Sequence, residues 1–314
     1  GNTYPYDSWA NATTDIQTAL DFAGNDYDII LVTNGTYTGS GNKNLDFGGK
    51  KIMLTSVNGA EDTIIDCQGT GRGFHFHSGE TTLSVVNGLT IRHGSVTLGY
   101  EYGGAVKCSG GGARLSNLVI EKNTCYAGFG NEFGGGGGIY AVSATLILEN
   151  CLVRSNTSTC GGGVYAVYAN LTIRNCKIEK NWAGTYNGGA LAIYDGAALL
   201  MENCLVDGNW GFIQGGGVYA GGASNITLRN CTVAGNWSYH PGYGGGLSLR
   251  YVSMAKLENT IVSLNSPRSL YLEATSFQPT YSCIQGWTGG GIGNFDVNPL
   301  AWDYSQRPNA PSID

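Results

Sequence analysis

Three side chains in the first third of the chain carry functional groups suited to acid–base catalysis: His93, Glu101 and Lys107. A positioned imidazole or carboxylate can remove a proton from a substrate, and an ammonium group can stabilise the negative charge that then develops. We take these three as the candidate catalytic residues and expect them to lie near one another. The alternative is that they are ordinary polar surface residues.

Two histidines form a candidate metal-binding pair. His75 and His77 flank Phe76, and residues two apart in a β-strand point to the same face. Calcium prefers several carboxylate and carbonyl oxygens, and no cluster of aspartates occupies the outward positions of the strands. We therefore predict an outward-facing histidine pair, no cofactor and no indicated calcium site.

Aromatic residues recur at fixed positions and predict a binding surface. Tyr140, Tyr165 and Tyr219 occupy one outward strand position, and Ala192 holds the equivalent position between the last two. Together with nearby loop residues, the candidate binding residues are Tyr126, Tyr140, Tyr165, Tyr186, Tyr194 and Tyr219, with Phe129 in the same loops. We expect an open groove in which a partner's ring fits the gap at Ala192, because aromatic faces stack on sugars and on other rings. The alternative is that tyrosine simply suits a pleated surface.

A repeat of about 28 residues positions these side chains. Each copy pairs a strand-like segment containing two asparagines with a Gly-Gly-rich block. The segments are LSNLVIEKN (115–123), LENCLVRSN (148–156), IRNCKIEKN (173–181), MENCLVDGN (201–209), LRNCTVAGN (228–236) and LENTIVSLN (257–265), preceded by VVNGLTIRH (85–93), in which His93 takes the place of the second Asn. Short alternating strands without a helical pattern are typical of a parallel β-helix in which each repeat is one coil.

The sequence therefore predicts an all-β fold, a single right-handed parallel β-helix of about nine coils. Residues 1–60 are expected to form an N-terminal cap, in which a short helix starts at a capping box around Thr14 and Gln17 and the first strands follow at 28–37 and 50–56. Residues 61–276 form the coils, and residues 277–314, which lose the repeat and gain prolines, form an irregular lid. Within a coil, Leu146, Leu148, Cys151 and Val153 should be buried while Glu149 is exposed.

Stacking the coils turns each repeat position into a column of neighbouring side chains. One column alternates in charge and predicts cross-strand ion pairs: Glu149, Arg174, Glu202, Arg229 and Glu258. Two others hold buried thiols and stacked indoles, respectively: Cys151, Cys176, Cys204 and Cys231, and Trp182, Trp210 and Trp237. The asparagines should bond to each other along the stack. Cys125 and Cys160, in adjacent loops, are the pair best placed for a disulfide.

The composition excludes several classes of protein. The chain has 314 residues, 51 of them glycine, and only 13% are charged. Its net charge of −6 argues against nucleic-acid binding, which needs clustered Lys and Arg. A hydrophobic content of 42% excludes a disordered chain, and no apolar run approaches the ~18 residues of a membrane span.

The blocks GGAV (103–106) and GGAL (188–191) and the asparagine segments resemble the pectin-lyase-like superfamily of right-handed parallel β-helices. They are more closely similar to bacterial surface proteins with polymorphic-outer-membrane-protein-type repeats, in which Gly-Gly-Ala-aliphatic is paired with Phe-x-x-Asn. Ile120, Val153 and Ile178 stand where that family has Phe. The resemblance implies a secreted or cell-surface location, and enzymes of this fold act on polysaccharides.

A polysaccharide lyase needs a base and a cation, and a glycoside hydrolase needs two carboxylates about 5–9.5 Å apart. The outward positions after the glycine blocks show no acid pair. We therefore predict a non-catalytic, secreted or cell-surface protein that binds a polysaccharide or a cell-surface partner through its aromatic face. The alternatives are a polysaccharide lyase or glycoside hydrolase that uses Lys107, and a self-associating subunit of an extracellular filament or matrix.

Overall fold

The computed structural model describes residues 7–97, 101–126 and 134–296. These residues form an all-parallel β-solenoid of about eight turns, which confirms the predicted fold class. Four parallel sheets, which we call A to D, run along the stack. Each coil passes from sheet A to sheet B, then to the short sheet D where it is present, then to sheet C.

The strand bounds follow the repeat. Sheet A contains Ile29–Val32, Met53–Ser56, Val85–Asn87, Gly112–Ser116, Thr145–Glu149, Asn170–Arg174, Ala198–Glu202, Asn225–Arg229, Met254–Glu258 and Phe277–Thr280. Sheet B contains Gly35–Tyr37, Thr63–Asp66, Thr90–Arg92, Val119–Glu121, Leu152–Arg154, Lys177–Glu179, Leu205–Asp207, Thr232–Ala234, Ile261–Ser263 and Cys283–Ile284. Sheet C contains Phe74–Phe76, Val106–Ser109, Ile139–Val142, Val164–Val167, Leu191–Tyr194, Val218–Gly221, Leu247–Arg250 and Leu270–Glu273. Sheet D contains Ser95–Val96, Thr124–Cys125, Thr157–Ser158, Trp182–Ala183, Trp210–Gly211 and Trp237–Ser238.

The core fills the inside of the coil because alternate strand residues point inward. Leu146, Leu148, Cys151 and Val153 are buried as predicted, whereas Glu149 is partly exposed. The glycine blocks bring neighbouring coils into close contact: a Cβ on Gly162 would lie 2.5 Å from the carbonyl oxygen of Gly189. A side chain at that position would push the coils apart.

The second asparagine of each repeat forms a buried hydrogen-bond column, as predicted. Its members are Asn123, Asn156, Asn181, Asn209, Asn236 and Asn265. The Asn181 Oδ1 atom accepts from both the backbone N–H and the Nδ2 of Asn156, at 3.0 Å each. In turn, the Asn181 Nδ2 donates to Asn209 Oδ1 and to the Val153 carbonyl. The asparagine side chains thus provide hydrogen-bond partners for backbone groups at the turn, where neither sheet can provide them.

The expected N-terminal helix is present as Ile16–Phe22, and it buries Ile16 and Leu20 against the first coil. The predicted capping box is wrong. Asp15 is the N-cap and makes no side-chain capping bond, and Asn42 Oδ1, from a distant turn, accepts the Ile16 N–H at 2.8 Å. No helix in the described part of the chain combines the length and hydropathy that a membrane crossing requires.

The strands expected within residues 1–60 are present, and strand pairing continues past residue 276, the last residue expected for the coil region. Sheet A starts at Ile29, and Phe277–Thr280 still pairs in register with Met254–Glu258. Pairing persists there because parallel strands need matching backbone, not the asparagine pattern. Residues 297–314 of the expected lid lie outside the described residues.

Candidate functional site

Five tyrosines stack along the outside of sheet C, and we call them the tyrosine ladder: Tyr102, Tyr140, Tyr165, Tyr194 and Tyr219. Successive ring centroids lie 4.8, 5.4, 5.4 and 4.9 Å apart. The rings point away from the coil interior, as expected, but they are not open to solvent. Tyr140 and Tyr219 are 7% exposed and Tyr165 is 0% exposed. The predicted open groove is therefore wrong at these positions.

The gap expected at Ala192 is filled. Tyr194, two residues further along the same strand, places its ring between those of Tyr165 and Tyr219. Tyr186 packs partly buried against the same cluster, while Tyr126 remains exposed; Phe129 lies outside the described residues. The ladder is a second small hydrophobic core on the outside of the coil.

Burial keeps the ladder hydroxyls neutral. Desolvation raises the pKa of Tyr140 and of Tyr219 to about 12, and it also raises the pKa of Tyr165 and of Tyr194 well above the ordinary value for tyrosine. The Tyr194 hydroxyl accepts a hydrogen bond from Asn187 Nδ2 at 2.9 Å. The Tyr165 hydroxyl is buried and has no partner among the described residues.

Cys125 and Cys160 do not form the expected disulfide. The register places Cys125 opposite Ser158. Cys160 therefore lies two residues further along the chain than the residue that faces Cys125. The Cys160 Sγ instead contacts the Asn187 carbonyl oxygen and the Tyr194 hydroxyl, at 3.3 and 3.6 Å. The column of Cys151, Cys176, Cys204 and Cys231 consists of buried thiols, as predicted.

Two of the three candidate catalytic residues lie together. Lys107 Nζ is 3.3 Å from Glu101 Oε2, and Arg72 Nη2 is 2.5 Å from the same oxygen. These cations hold the pKa of Glu101 below its usual value, chiefly through the hydrogen bond from Arg72. The carboxylate is thus occupied by two cations and is a poor base.

His93 lies elsewhere, with Nδ1 3.1 Å from Asp66 Oδ2. The repeat alignment had placed His93 at the position of the second Asn. In the structure Arg92 pairs with Glu121, so His93 is one residue short of the position of Asn123. It occupies a turn with φ +54° rather than the buried column.

The histidine pair stacks, with the rings of His75 and His77 4.0 Å apart. Burial lowers the pKa of His75 to about 4, helped by electrostatic repulsion from His77 and Arg72. Within the three described segments, no group of three or more His, Cys, Asp or Glu side chains is arranged to hold a metal ion. The pair alone supplies two ligands, fewer than the three or four protein ligands of most zinc sites.

The exposed aromatic surface lies on and beside sheet D. We call it the aromatic platform, and it consists of Trp182, Trp210, Phe212, Trp237 and Tyr239. The indoles stack along the coils with centroids 5.3 Å apart, and Phe212 and Tyr239 form a parallel column with centroids 5.4 Å apart. The two columns meet edge to face, at 6.0 and 6.1 Å. The tryptophan repeat signalled one column, whereas Phe212 and Tyr239 lie in loops whose course the sequence did not reveal.

The alternating column on sheet A, the first charge ladder, forms ion pairs as predicted. Arg174 lies 2.8 Å from Glu202 and 3.7 Å from Glu149, and Arg229 lies 2.7 Å from Glu258 and 3.4 Å from Glu202. The hydrogen bond from Arg174 lowers the pKa of Glu202.

Sheet B carries a second charge ladder that the sequence reasoning missed. Its register partners are Asp66, Arg92, Glu121, Arg154 and Glu179. The alternation ends where Glu179 pairs with Asp207, and Lys177 offsets that like-charge contact by approaching Glu179 to 2.7 Å. Glu121, Arg154 and Glu179 share one position of the aligned repeats, but the one-residue misalignment of the first repeat separated Arg92 from Glu121.

Comparison with known proteins bears on the fold. Residues 185–296 match the family model described as "Right handed beta helix region". Searches of the curated proteins and of the solved structures found no match. The family match covers about a third of the chain, and together with the all-parallel solenoid it supports the fold of a right-handed parallel β-helix.

Proposed function

We propose that this chain is a non-catalytic β-helix protein of the cell surface or extracellular space that binds a glycan or a surface partner through the aromatic platform. The observation that carries the proposal is the exposure of that platform. Trp237, Phe212 and Trp182 are 38%, 40% and 43% exposed, and Tyr239 is 62% exposed. Contiguous exposed apolar surface on a folded protein commonly marks a binding site.

The packing of the platform also favours binding. Each ring contacts one or more neighbouring rings and is anchored on or beside a short strand. Rings that are already ordered lose little conformational entropy when a ligand binds. This surface takes the role that the sequence had assigned to the tyrosine ladder, whose rings are covered. As part of this proposal, we infer that the chain is related to bacterial surface proteins with polymorphic-outer-membrane-protein-type repeats.

The test is retention on immobilised polysaccharides and on cell-surface preparations. Phe212→Ala combined with Tyr239→Ala removes one column of the platform. At about 0.5–1.5 kcal/mol for each aromatic contact, affinity should fall by about 5- to 150-fold. Binding should change little with salt, because ring contacts are not screened as charges are.

Tyr168→Ala is the matched control, since Tyr168 is 64% exposed and lies outside the platform. Equal loss in the control and in the platform variant would contradict the proposal, as would the absence of binding to every ligand tried.

A polysaccharide lyase is the second candidate, because Lys107 and Arg72, which both contact Glu101, supply two cations that could neutralise a uronate carboxylate. The same polysaccharides, incubated with the protein and assayed for unsaturated products, separate the two functions. Turnover that is lost in Lys107→Ala and kept in the platform variant would favour the lyase.

A further inference from the structure

The outer face of sheet A presents three straight columns of side chains over its last six strands. The first charge ladder, continued by Thr280, forms one edge. The middle column contains Ile147, Thr172, Leu200, Thr227, Lys256 and Gln278. The third column contains Thr145, Asn170, Ala198, Asn225 and Met254. Successive strands pair without an offset, so each column is continuous.

Both signs of charge in the first ladder are accessible. Its carboxylate side chains are 24–38% exposed, and Arg174 and Arg229 are 43% and 44% exposed. In the second charge ladder the carboxylates of Asp66, Glu121 and Glu179 are only 10–14% exposed. The first ladder can therefore offer both charges to a partner, whereas the second offers mainly arginines.

We propose that this face of sheet A binds a second copy of the chain in antiparallel orientation. A two-fold axis that ran along the first charge ladder would place each Glu opposite Glu and each Arg opposite Arg. If a two-fold axis instead runs along the strands, between Ala198–Glu202 and Asn225–Arg229, every charged contact joins opposite signs. Glu202 then faces Arg229 of the second copy, and Arg174 faces Glu258.

The same axis fits the other columns. Leu200 faces Thr227, Thr172 faces Lys256 and Ile147 faces Gln278, so no two like charges meet. An axis one strand nearer the N-terminus would bring Arg114 opposite Lys256, which the proposed axis avoids. Such an isologous contact closes a dimer, since both copies use one patch. Existing ion pairs within each copy do not prevent it, because a carboxylate and a guanidinium each bind several partners.

Sedimentation equilibrium of the whole chain tests the proposal. The wild-type chain should be dimeric at about 0.01 M salt, where the Debye length is about 30 Å, and monomeric at about 1 M, where it is about 3 Å. Glu202→Arg and Arg229→Glu should each be monomeric at low salt. An equimolar mixture of the two variants should recover dimers, because each altered residue then faces its opposite.

Arg154→Glu in the second charge ladder is the matched control. It loses a comparable ion pair, to Glu121 at 2.7 Å, and places an acid between two others, but it lies on sheet B. It should remain dimeric. Circular dichroism checks the fold of each variant, and the salt titration of the wild-type chain tests the proposal even where a variant fails to fold.

The proposal would be overturned by a wild-type chain that is monomeric at low salt, by a dimer unaffected by salt, or by a mixture of two folded variants that stays monomeric. Dissociation of Arg154→Glu would also overturn it, since the effect would then not be specific to sheet A. None of these results bears on the aromatic platform, whose test uses a different surface.

Discussion

The hydroxyl of Tyr165 is the least favourable polar group in the tyrosine ladder. It is buried without a hydrogen-bond partner among the described residues, between the rings of Tyr140 and Tyr194. Burying a hydroxyl without a partner costs free energy, whereas the ring itself contributes by packing. We predict that Tyr165→Phe raises the free energy of unfolding by about 1 kcal/mol, measured by urea denaturation.

Tyr194→Phe serves as the control in the same ladder. Its hydroxyl accepts from Asn187 Nδ2, and its removal leaves that buried donor unpaired. This variant should lower the free energy of unfolding by about 1 kcal/mol. A loss of stability in both variants would show that the Tyr165 hydroxyl has a partner in the folded protein.

At the scale of the element, the two asparagine positions of the repeat have different structural roles. Asn203, from the first position, is exposed at φ +55°, and its Nδ2 donates to Asn175 at 3.2 Å. Asn181, from the second position, is 1% exposed and bonds to both neighbouring coils. Identical residue types thus serve a surface turn in one case and a buried network in the other.

We predict that Asn181→Ala lowers the free energy of unfolding by about 3 kcal/mol, because it leaves the buried backbone N–H of Asn156 without an acceptor and removes one of the two acceptors of the Asn156 Nδ2. Asn203→Ala should cost about 1–2 kcal/mol, the strain of a left-handed alanine. Urea denaturation of both variants measures the difference. Equal costs would mean that the buried amides find water or other partners.

These elements also show what a sequence can predict. The strands, the buried Leu148 and Val153, and the first charge ladder follow from residue type and register, which the repeat supplies. The burial of Tyr165 does not follow, because its cover comes from Tyr194 on the next coil and from neighbouring loops. For the same reason, only the tryptophan column of the aromatic platform could be predicted from the sequence. Loop geometry decides whether Phe212 contacts Trp210.

At the scale of the whole molecule, two sets of ionisable groups, together with His75, set the response to pH. Arg250 and Tyr251 lower the pKa of Glu273 to about 2 through hydrogen bonds, and the pKa values of Glu202 and Glu101 are also lowered. Burial acts in the opposite sense on the thiols, raising the pKa of Cys108 to about 12 and that of Cys160 to about 11. The first set is charged in the folded state near neutral pH, and the second set is neutral.

These shifts predict a stability plateau with two limbs. Carboxylates with lowered pKa stabilise the fold above their ordinary value, near 4.5 for Glu273, and this contribution is lost as pH falls toward about 2. Thiols with raised pKa stabilise the fold below their ordinary value of 9.0, and this contribution is lost as pH rises toward about 12. The lowered pKa of His75 acts in the same sense as those of the carboxylates, so its contribution is lost as pH falls from about 6.5 toward about 4. Melting temperature measured by calorimetry should therefore be nearly constant between about pH 6.5 and 8.5 and fall on both sides. Glu273→Gln should flatten the acid limb, whereas Glu61→Gln, an exposed glutamate without an ion pair among the described residues, should not. A melting temperature that rises below pH 4, or an acid limb that is unchanged in Glu273→Gln, would show that this carboxylate cluster does not control acid stability.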